Sequence, residues 1–336
     1  MLVRYNNLPL QGGSRIYYDM IYSALESIMK QQALIPPKPL ILLQDLYPLT
    51  ANSLSKRGIT VLVMGGGPIG HYLRHLWSIG LPYFSFFNVL TYPFSAMMYG
   101  YNPSYIHAVK RTNYVIVPSF FAKKWFGCLF GDEISKKVFV IWPYVKPRSL
   151  AESDGDKTDE ILVLARFSPE KKLEDALKLF SYCNSVKSAR LILSGYLKWS
   201  QRWYYKQLID LSKKLKIYDN CVFYSNVPEV DKHLLFRKAK ILIHPTPNGL
   251  FEIAPLEAMS WGVIPLINAK STIVSELNIK KPFVYHNLKE GSSYLDSFLN
   301  DATSIKRIQT YVKKMTLKSY ENSILMAKEF LQEVCS

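Results

Sequence analysis

Two cationic residues, Arg166 and Lys171, stand in the segment LARFSPEKK, directly after an apolar run that is typical of a buried strand. A helical pattern, EDALKLFSYCN, follows this segment. In open α/β sheets, ligands bind at the carboxyl ends of the strands. Arg and Lys side chains bind phosphate oxygens through charge-assisted hydrogen bonds. The arrangement therefore predicts that Arg166 and Lys171 bind a diphosphate.

A second candidate group lies in residues 241–267, ILIHPTPNGLFEIAPLEAMSWGVIPLI. A strand pattern ends at His244, a loop follows, and a helical pattern begins near Ile253 or Ala254. The start of a helix presents free N–H groups and a positive dipole end to an anion. Glu257 lies one turn into this helix, where its carboxylate can accept hydrogen bonds from sugar hydroxyls.

The candidate residues follow short apolar runs of the sequence, and helical patterns separate one apolar run from the next. The apolar runs are PLILLQDL, ITVLVM, NYVIVPS and KVFVIWP in the first half of the chain, and EILVLARF, ARLILSG, NCVFYSN and AKILIHP in the second. Runs this short and this continuously apolar are typical of parallel strands that are covered on both faces. We therefore predict an α/β protein in which a parallel sheet is built twice.

A polar segment separates the two sets of strands. It is KPRSLAESDGDKTDE, residues 146–160, and we place a linker there because it contains proline and glycine. The end of the chain carries a long helical pattern with lysines on its polar faces. We predict an N-terminal domain over residues 1–150, a C-terminal domain over 151–302, and a helix over 303–336 that packs back across both domains.

The net charge is +16, and residues 1–150 carry +10 of it, with 15 Lys or Arg against 5 Asp or Glu. No Asp or Glu occurs between Asp45 and Asp132. Such a surface attracts phosphates of nucleic acid, of anionic lipid or of pyrophosphate-linked substrates. The four cysteines are scattered without a CxxC pair, which argues against a zinc ribbon or a disulfide framework. We expect a cytoplasmic protein, because the chain shows no secretory signal and prolines interrupt its longest uncharged stretch, residues 76–105.

A glycine-rich turn in VLVMGGGPIGHYL, residues 61–73, resembles a dinucleotide-binding fingerprint. That fingerprint needs an Asp or Glu about 20 residues later to hold the ribose. No acidic residue appears before Asp132, so we do not favour NAD or FAD as a ligand. The pair of acidic residues in DGD, residues 154–156, lies in the polar linker and is interpreted as a solvated charge run. We find no metal or nucleophile motif.

The two candidate groups together resemble glycosyltransferase family 4, a large group of retaining enzymes with the GT-B architecture. LARFSPEKK is similar to the phosphate loop G-R-L-x-x-x-K-G of that family, and LFEIAPLEAMSWGVIPL is similar to its donor motif F-G-x-x-x-x-E-A-M-A-x-G-x-P-V. The order and spacing agree over residues 160–280. Near the start of the chain, Gly12 and Gly13 stand where the family has paired glycines close to the donor phosphates and the acceptor.

The resemblance implies two Rossmann-like domains whose parallel sheets face a central cleft. The N-terminal domain would bind the acceptor and the C-terminal domain the nucleotide sugar. The implied activity is a retaining, metal-independent transfer of a hexose from a UDP- or GDP-sugar to a hydroxyl group. No cofactor is expected.

The resemblance also assigns roles to individual residues. Arg166, Lys171 and the amides at the start of the helix would stabilise the leaving nucleoside diphosphate, and Glu257 would hold the ribose. The segment around Asn226 would border the base. The residues expected to contact substrate are Gly12, Gly13, Val227, His244, Phe251, Ile253, Ala254 and Pro255, and those expected to act in catalysis are Arg166, Lys171, Glu252 and Glu257.

Three positions depart from the family pattern. The family pairs two glutamates eight positions apart, but Gly249 stands eight positions before Glu257. The family glycine after the phenylalanine is Glu252, and Lys172 stands where the family prefers glycine. Two interpretations of Glu252 remain open: its carboxylate replaces the missing one, or it is an exposed residue at the start of a helix.

The acceptor is expected to be lipid-linked or a glycan, bound by the basic, aromatic-rich N-terminal half. That half would also place the protein on an anionic membrane surface at the cytoplasmic face. We do not expect nucleic acid as a partner. The alternatives are a nucleic-acid-binding protein, a catalytically inactive relative of the glycosyltransferases, and an oxidoreductase that uses the glycine motif at residues 65–70.

Overall fold

The computed structural model describes two compact units. The described residues are 1–5, 13–44, 57–64, 109–146, 148, 157–301 and 304–336. One unit comprises Met1–Tyr144 with Glu321–Ser336, and the other comprises Val145–Tyr320. The division falls after Tyr144, and the last helix contributes its residues up to Tyr320 to the second unit and those from Glu321 onward to the first.

The first unit contains a five-stranded parallel sheet. Its strands, in spatial order, are β1 (Leu2–Tyr5), β2 (Leu40–Gln44), β3 (Ile59–Val63), β4 (Tyr114–Val117) and β5 (Val138–Val140). Among the described residues, its helices are α1 (Gly13–Gln32), α2 (Phe120–Phe130) and α3 (Asp132–Ser135). Two tyrosines fix α1 to neighbouring backbone: the Tyr17 hydroxyl donates to the Ile141 carbonyl at 2.7 Å and that of Tyr18 to the Leu42 carbonyl at 3.0 Å.

The second unit contains a six-stranded parallel sheet. Its strands are β6 (Glu160–Leu164), β7 (Arg190–Gly195), β8 (Cys221–Ser225), β9 (Ala239–His244), β10 (Ile264–Asn268) and β11 (Val284–Tyr285). Its helices are α4 (Leu173–Ser181), α5 (Arg202–Lys214), α6 (Glu229–Lys238), α7 (Ile253–Ser260), α8 (Thr272–Glu276) and α9 (Leu288–Asn300).

The strand order of the second sheet is β11-β10-β9-β6-β7-β8, and every neighbouring pair is parallel. The chain therefore winds outward from β6 in one direction and from β9 in the other. This is the doubly wound order, which reverses between its first and fourth strands. The reversal point lies between β6 and β9, and ligands of doubly wound sheets bind at the carboxyl ends of the two strands that meet there.

Apolar side chains cover both faces of this sheet, as the continuous apolar runs predict. Every residue of β9 is buried. One cluster includes Phe167, Phe180 and Leu256, and the other includes Phe236, Ala258 and Trp261. The sheet is therefore a rigid support for the loops at its carboxyl edge.

The last helix, α10 (Ile305–Cys335), contributes to both units. In the second unit, Tyr311 stacks on Phe283 with ring centroids 5.8 Å apart. In the first unit, the Phe330 ring lies edge-on to Tyr114 and Phe139, at 5.7 and 5.2 Å. Within the described ranges, no helix combines the length and apolar character that crossing a membrane requires.

Most sequence-based strand predictions are confirmed. Each of the apolar runs named above contains one of the strands β2 to β9, and the segment WGVIPLI contains all of β10 except Asn268. The sequence analysis missed the short strands β1 and β11 at the sheet edges. The glycine motif at residues 65–70 lies outside the described residues.

Gly195, the last residue of β7, permits the close approach of the loop that follows β6. A Cβ atom at this position would lie 1.8 Å from the Ala165 carbonyl oxygen and 3.2 Å from the Arg166 nitrogen. Next to it, the Phe167 amide donates to the Tyr196 carbonyl at 2.9 Å. The absence of a side chain at Gly195 therefore fixes the path of the backbone that carries Arg166.

We predict that Gly195→Ala lowers the free energy of unfolding by at least about 2 kcal/mol, because backbone must move to admit the methyl group. Chemical denaturation measures this loss. Gly127→Ala is the control, since its Cβ would meet only the Ser135 side chain, at 3.1 Å, and alanine is favoured within helix α2. Equal stability of Gly195→Ala and the wild type would contradict the prediction.

Candidate active site

The candidate residues of the second unit gather at the carboxyl ends of β6 and β9. Arg166 and Lys171 follow β6, and His244 ends β9. The two strands are direct neighbours in the sheet. The structure therefore brings these three residues to the reversal point of the sheet, as the sequence analysis predicts for a ligand site.

The loop after β6 presents its cations in a short 3-10 turn, Pro169–Lys171. Arg166 Nη2 lies 3.2 Å from Glu170 Oε1, and both side chains are about one-third exposed. Burial by itself raises the pKa of Glu170, but the Arg166 charge and a hydrogen bond from Ser168 outweigh it and the pKa is lowered. Glu170 is thus an ionised partner of Arg166 that remains accessible to solvent.

The backbone conformation at Lys172 shows why the family prefers glycine at this position. Its backbone is left-handed, with φ of 54° and ψ of 39°, and it joins the 3-10 turn to helix α4. This conformation costs a residue with a side chain about 1 kcal/mol, whereas glycine adopts it freely. Lys172 therefore keeps the turn of the glycine-containing motif despite the different residue.

His244 is buried and uncharged. Burial, and then the charge of Lys171, lower the pKa of its imidazole to about 3. Its Nε2 atom is buried without a hydrogen-bond partner among the described residues. The charge of Lys171 also acts on the carboxylate of Glu252, so all three side chains lie near one another.

Helix α7 begins at Ile253 and presents backbone N–H groups at this edge. The side chain of its N-cap residue, Glu252, makes no capping hydrogen bond to the first turn. The amides of Ile253 and Ala254 occupy the first positions of the helix, where N–H groups have no partner within it. Pro255 has no N–H, and its fixed φ suits the first turn. Phe251 packs against the apolar core of the second unit, which anchors the approach to the helix.

Glu252 is buried, with only 5% of its surface exposed. Its Oε1 accepts the N–H of Gly249 at 2.9 Å and that of Thr272 at 3.4 Å, and its Oε2 accepts the N–H of Ile273 at 3.0 Å. The interpretation of Glu252 as an exposed residue is therefore wrong. The start of α8 supplies the amides that hold this carboxylate in the interior.

The carboxylate of Glu252 fills the space next to Gly249. A Cβ atom at Gly249 would lie 2.5 Å from Glu252 Oε1 and 3.0 Å from its Cδ. Thr272 holds the same loop through a hydrogen bond from its hydroxyl to the Gly249 carbonyl. The glycine and glutamate that depart from the family pattern are thus in direct contact, and each fits because of the other. Burial raises the pKa of Glu252, while the bound amides and Lys171 partly offset this.

Glu257 is paired with a lysine that the sequence analysis did not identify. Lys232 Nζ, from helix α6, lies 2.9 Å from Glu257 Oε1, and both side chains are mostly buried. The two residues belong to different helices, so no sequence pattern indicates the pair. The same is true of Thr272 and Ile273, whose amides are identified only by the fold.

The remaining predicted residues belong to other elements of the chain. Val227 is half-buried and follows β8, which β7 separates from β6. Beside it, Asn226 Oδ1 accepts the N–H of Leu197 at 2.9 Å. In the first unit, Gly13 begins helix α1, and Gly12 lies outside the described residues. Among the described residues, no group of three His, Cys, Asp or Glu side chains could hold a metal ion.

Comparison with known proteins gives a consistent set of similarities. The family model described as glycosyl transferases group 1 matches residues 148–315, half of the chain. A protein of Dictyostelium discoideum, named GDP-Man:Man(3)GlcNAc(2)-PP-Dol alpha-1,2-mannosyltransferase, is 28% identical over 201 residues. That match covers 55% of this chain but only 38% of the relative, so the two share a segment rather than their full lengths.

Solved structures match over nearly the whole chain. Anabaena HepE in complex with UDP and glucose has a TM-score of 0.65 at 14% identity, with 99% of this chain and 98% of that chain covered. WaaG, a glycosyltransferase involved in lipopolysaccharide biosynthesis, has a TM-score of 0.63 at 13% identity, with 99% of each chain covered. At these identities the similarity concerns the fold.

Because Gly249 and Glu252 are in contact, we predict that substitutions at these two positions have non-additive effects on stability. Gly249→Glu alone should cost about 2 kcal/mol or more of stability, because it crowds a second carboxylate against a buried one. Combining it with Glu252→Gly removes the clash. The double variant should therefore lose less stability than the sum of the two single losses. Chemical denaturation of the four proteins measures the coupling, and additive losses would contradict the contact.

Because His244 is buried in its neutral form, we predict that it makes the free energy of unfolding depend on pH. Its pKa is about 3 in the folded protein and about 6.5 in the unfolded chain. Between these values only the unfolded chain binds the extra proton, so the free energy of unfolding falls as the pH falls. His244→Gln should weaken this dependence between about pH 7 and pH 4.5. Denaturation across this range tests it, and identical slopes for variant and wild type would refute it.

Proposed function

Because the chain belongs to the glycosyl transferases of group 1 and has the GT-B fold, we propose that it is a retaining hexosyltransferase. Its donor is a UDP- or GDP-sugar, and its acceptor is a hydroxyl group of a lipid-linked molecule or a glycan. The observation that carries this proposal is the cluster of Arg166, Lys171 and the α7 amides at the reversal point of the second sheet.

The cluster suits the leaving group of such a reaction. When the bond between the anomeric carbon and the phosphate oxygen breaks, its electron pair passes to the nucleoside diphosphate. Arg166, Lys171 and the amides of Ile253 and Ala254 would stabilise the negative charge that develops there, which is where electrostatic stabilisation increases the rate. The acceptor hydroxyl forms the new bond to the anomeric carbon on the face that the diphosphate leaves, and its proton passes to the departing phosphate oxygen.

These cations and amides can offset the diphosphate charge with protein groups alone, so we propose a reaction without a metal ion or cofactor. His244 would contact the substrate as a neutral imidazole, because its pKa of about 3 keeps it uncharged. It would be a hydrogen-bonding group, not a cation.

The carboxylates would position the donor. Glu257 would accept hydrogen bonds from the ribose, and Lys232 would hold it in place through their 2.9 Å ion pair. Glu252 would supply the carboxylate that Gly249 lacks, because its oxygens occupy the space next to Gly249. Val227 would border the base, and Gly12 and Gly13 would approach the donor phosphates and the acceptor.

Two relatives guide the choice of donor and acceptor. The name of the Dictyostelium mannosyltransferase gives GDP-mannose as donor and a dolichol pyrophosphate glycan as acceptor, whereas Anabaena HepE is in complex with UDP and glucose. Both nucleotides therefore belong in the test. A lipid-linked acceptor would suit the strongly basic chain, which we place in the cytoplasm and at the surface of an anionic membrane. Nucleic acid is not part of the proposal.

A second candidate function is suggested by Gly249. If the carboxylate that the family has at this position is indispensable, the protein binds nucleotide sugars without turning them over. Glu252→Gln separates the two functions. It removes the negative charge but keeps the size of the side chain. A fall in turnover with unchanged nucleotide binding would assign the carboxylate to catalysis, and absence of turnover in the wild type with every donor would favour the inactive relative.

We predict that UDP or GDP raises the melting temperature and that Arg166→Ala abolishes this shift. A ligand at a hundred times its dissociation constant stabilises a protein by about 2.7 kcal/mol, which thermal denaturation detects easily. Arg190→Ala is the matched control, because Arg190 is an exposed arginine at the amino end of β7, whereas Arg166 lies at the carboxyl edge of the sheet. It should leave the shift unchanged.

The same measurement includes NAD, FAD and a short RNA as competing ligands. Stabilisation by NAD or FAD alone would overturn the proposal and favour the oxidoreductase. Stabilisation by RNA alone, with steep salt dependence, would favour a nucleic-acid-binding protein.

A further inference from the structure

A cluster of exposed aromatic and cationic side chains follows β7. Trp199 is 80% exposed, Tyr196 45% and Trp203 40%. Three exposed cations lie among them in the sequence. We call this set the tryptophan surface; its residues are Tyr196, Lys198, Trp199, Arg202, Trp203 and Lys206. Single exposed aromatic residues are ordinary, but two tryptophans and three cations within nine residues indicate a binding surface.

The local structure turns these side chains to solvent. A 3-10 turn, Trp199–Gln201, runs directly into α5, so Trp199 and Trp203 are one helical turn apart. The next two aromatic residues point inward. The Tyr204 hydroxyl bonds Glu174 at 2.5 Å, and the Tyr205 ring lies 4.9 Å from that of Phe167. The core therefore uses Tyr204 and Tyr205 and leaves both tryptophans outside.

The sequence segment that carries the tryptophan surface contains only positive charges. No Asp or Glu occurs in the sequence between Asp175 and Asp210, a segment that includes all of the tryptophan surface. Lysine and arginine side chains near an anionic bilayer are attracted to its surface. Tryptophan is enriched at the boundary between lipid head groups and acyl chains, because its ring is apolar and its N–H is polar. The combination matches an anionic lipid surface.

We propose that the tryptophan surface docks the second unit on an anionic lipid bilayer. Trp199 and Trp203 enter the head-group region, and Lys198, Arg202 and Lys206 contact lipid phosphates. This places the membrane contact in the C-terminal half, in contrast to the basic N-terminal half that the charge distribution of the sequence favours.

The location also suits a lipid-linked acceptor, a point that rests on the proposed function. The tryptophan surface follows the carboxyl end of β7, and β7 is the direct neighbour of β6. Arg166 and Lys171 follow the carboxyl end of β6. Since the strands are parallel, the membrane contact and the phosphate-binding loop extend from the same edge of one sheet. Membrane binding itself requires no sugar transfer and is measured without it.

The test is co-sedimentation of the full chain with vesicles of phosphatidylcholine that contain about one-third phosphatidylglycerol, at low and high salt. Wild-type protein should bind these vesicles and bind pure phosphatidylcholine far more weakly. Trp199→Ser with Trp203→Ser leaves the charge unchanged and should weaken binding roughly tenfold or more. Its matched control is Tyr182→Ser with Tyr218→Ser, since these aromatic residues of the same unit are also exposed, at 53% and 43%.

A second pair of variants isolates the charge. Replacing Lys198, Arg202 and Lys206 with glutamine should weaken binding more than replacing Lys213, Lys214 and Lys216, although both changes remove three positive charges. The second set is exposed and lies at the far end of α5 or just beyond it. Far-UV circular dichroism verifies that each variant is folded.

Three outcomes would overturn the proposal. The first is no binding of the wild type to anionic vesicles. The second is full binding by the tryptophan double variant, which would assign the membrane contact to another surface. The third is loss of short RNA binding in that variant without loss of vesicle binding, which would make nucleic acid the partner. None of them bears on the nucleotide-induced change in melting temperature, so failure here leaves the proposed transferase activity to its own test.

Discussion

The parallel pairing of β6 with β9 is the contact on which the second unit depends. The chain winds away from these strands in opposite directions, so the loops that follow them diverge and leave their carboxyl ends open to a ligand. Arg166 and Lys171 come from one strand, while His244 and the approach to α7 come from the other. These groups are distant in sequence, and the pairing of β6 with β9 brings them to one edge of the sheet. Close backbone packing reinforces the arrangement at Gly195, where the loop after β6 lies against β7.

Compared with the family pattern, this chain has glycine at position 249 and glutamate at position 252. The Glu252 carboxylate lies next to Gly249, so a carboxylate remains in the same region. A buried carboxylate is costly unless hydrogen bonds compensate it. Here Gly249, Thr272 and Ile273 supply three amides, so Glu252 joins the loop after β9 to the start of α8. The carboxylate therefore stabilises the same loop that leads into α7. A residue at position 252 affects both the start of α7 and the stability of the sheet edge, and its contact with Gly249 couples substitutions at the two positions.

The sequence predicts much of the fold because the inner strands are buried on both faces and their apolar runs are continuous. It does not predict β1 and β11, since edge strands this short carry too few residues for a periodic signal. The cations after β6 and the helix start at Ile253 are identified from local patterns. The burial of Glu252 and the pairing of Glu257 with Lys232 are not, because both depend on residues from other elements. Lys172 is intermediate: the departure from glycine is visible in the sequence, but its left-handed backbone is visible only in the structure.

The carboxylates near the candidate phosphate site differ in burial and in the number of their hydrogen bonds. This difference decides which cation can leave its carboxylate and bind a phosphate instead. Glu252 is buried on three amides, and Glu257 is paired with a mostly buried lysine. Glu170, in contrast, pairs with Arg166 where both side chains are about one-third exposed. Ion pairs at such exposure contribute at most about 1 kcal/mol. A diphosphate can therefore displace Glu170 from Arg166 at little cost and gain a charge-assisted contact in return. Arg166 follows the end of β6, so this solvent-accessible ion pair lies where the ligand charge would arrive.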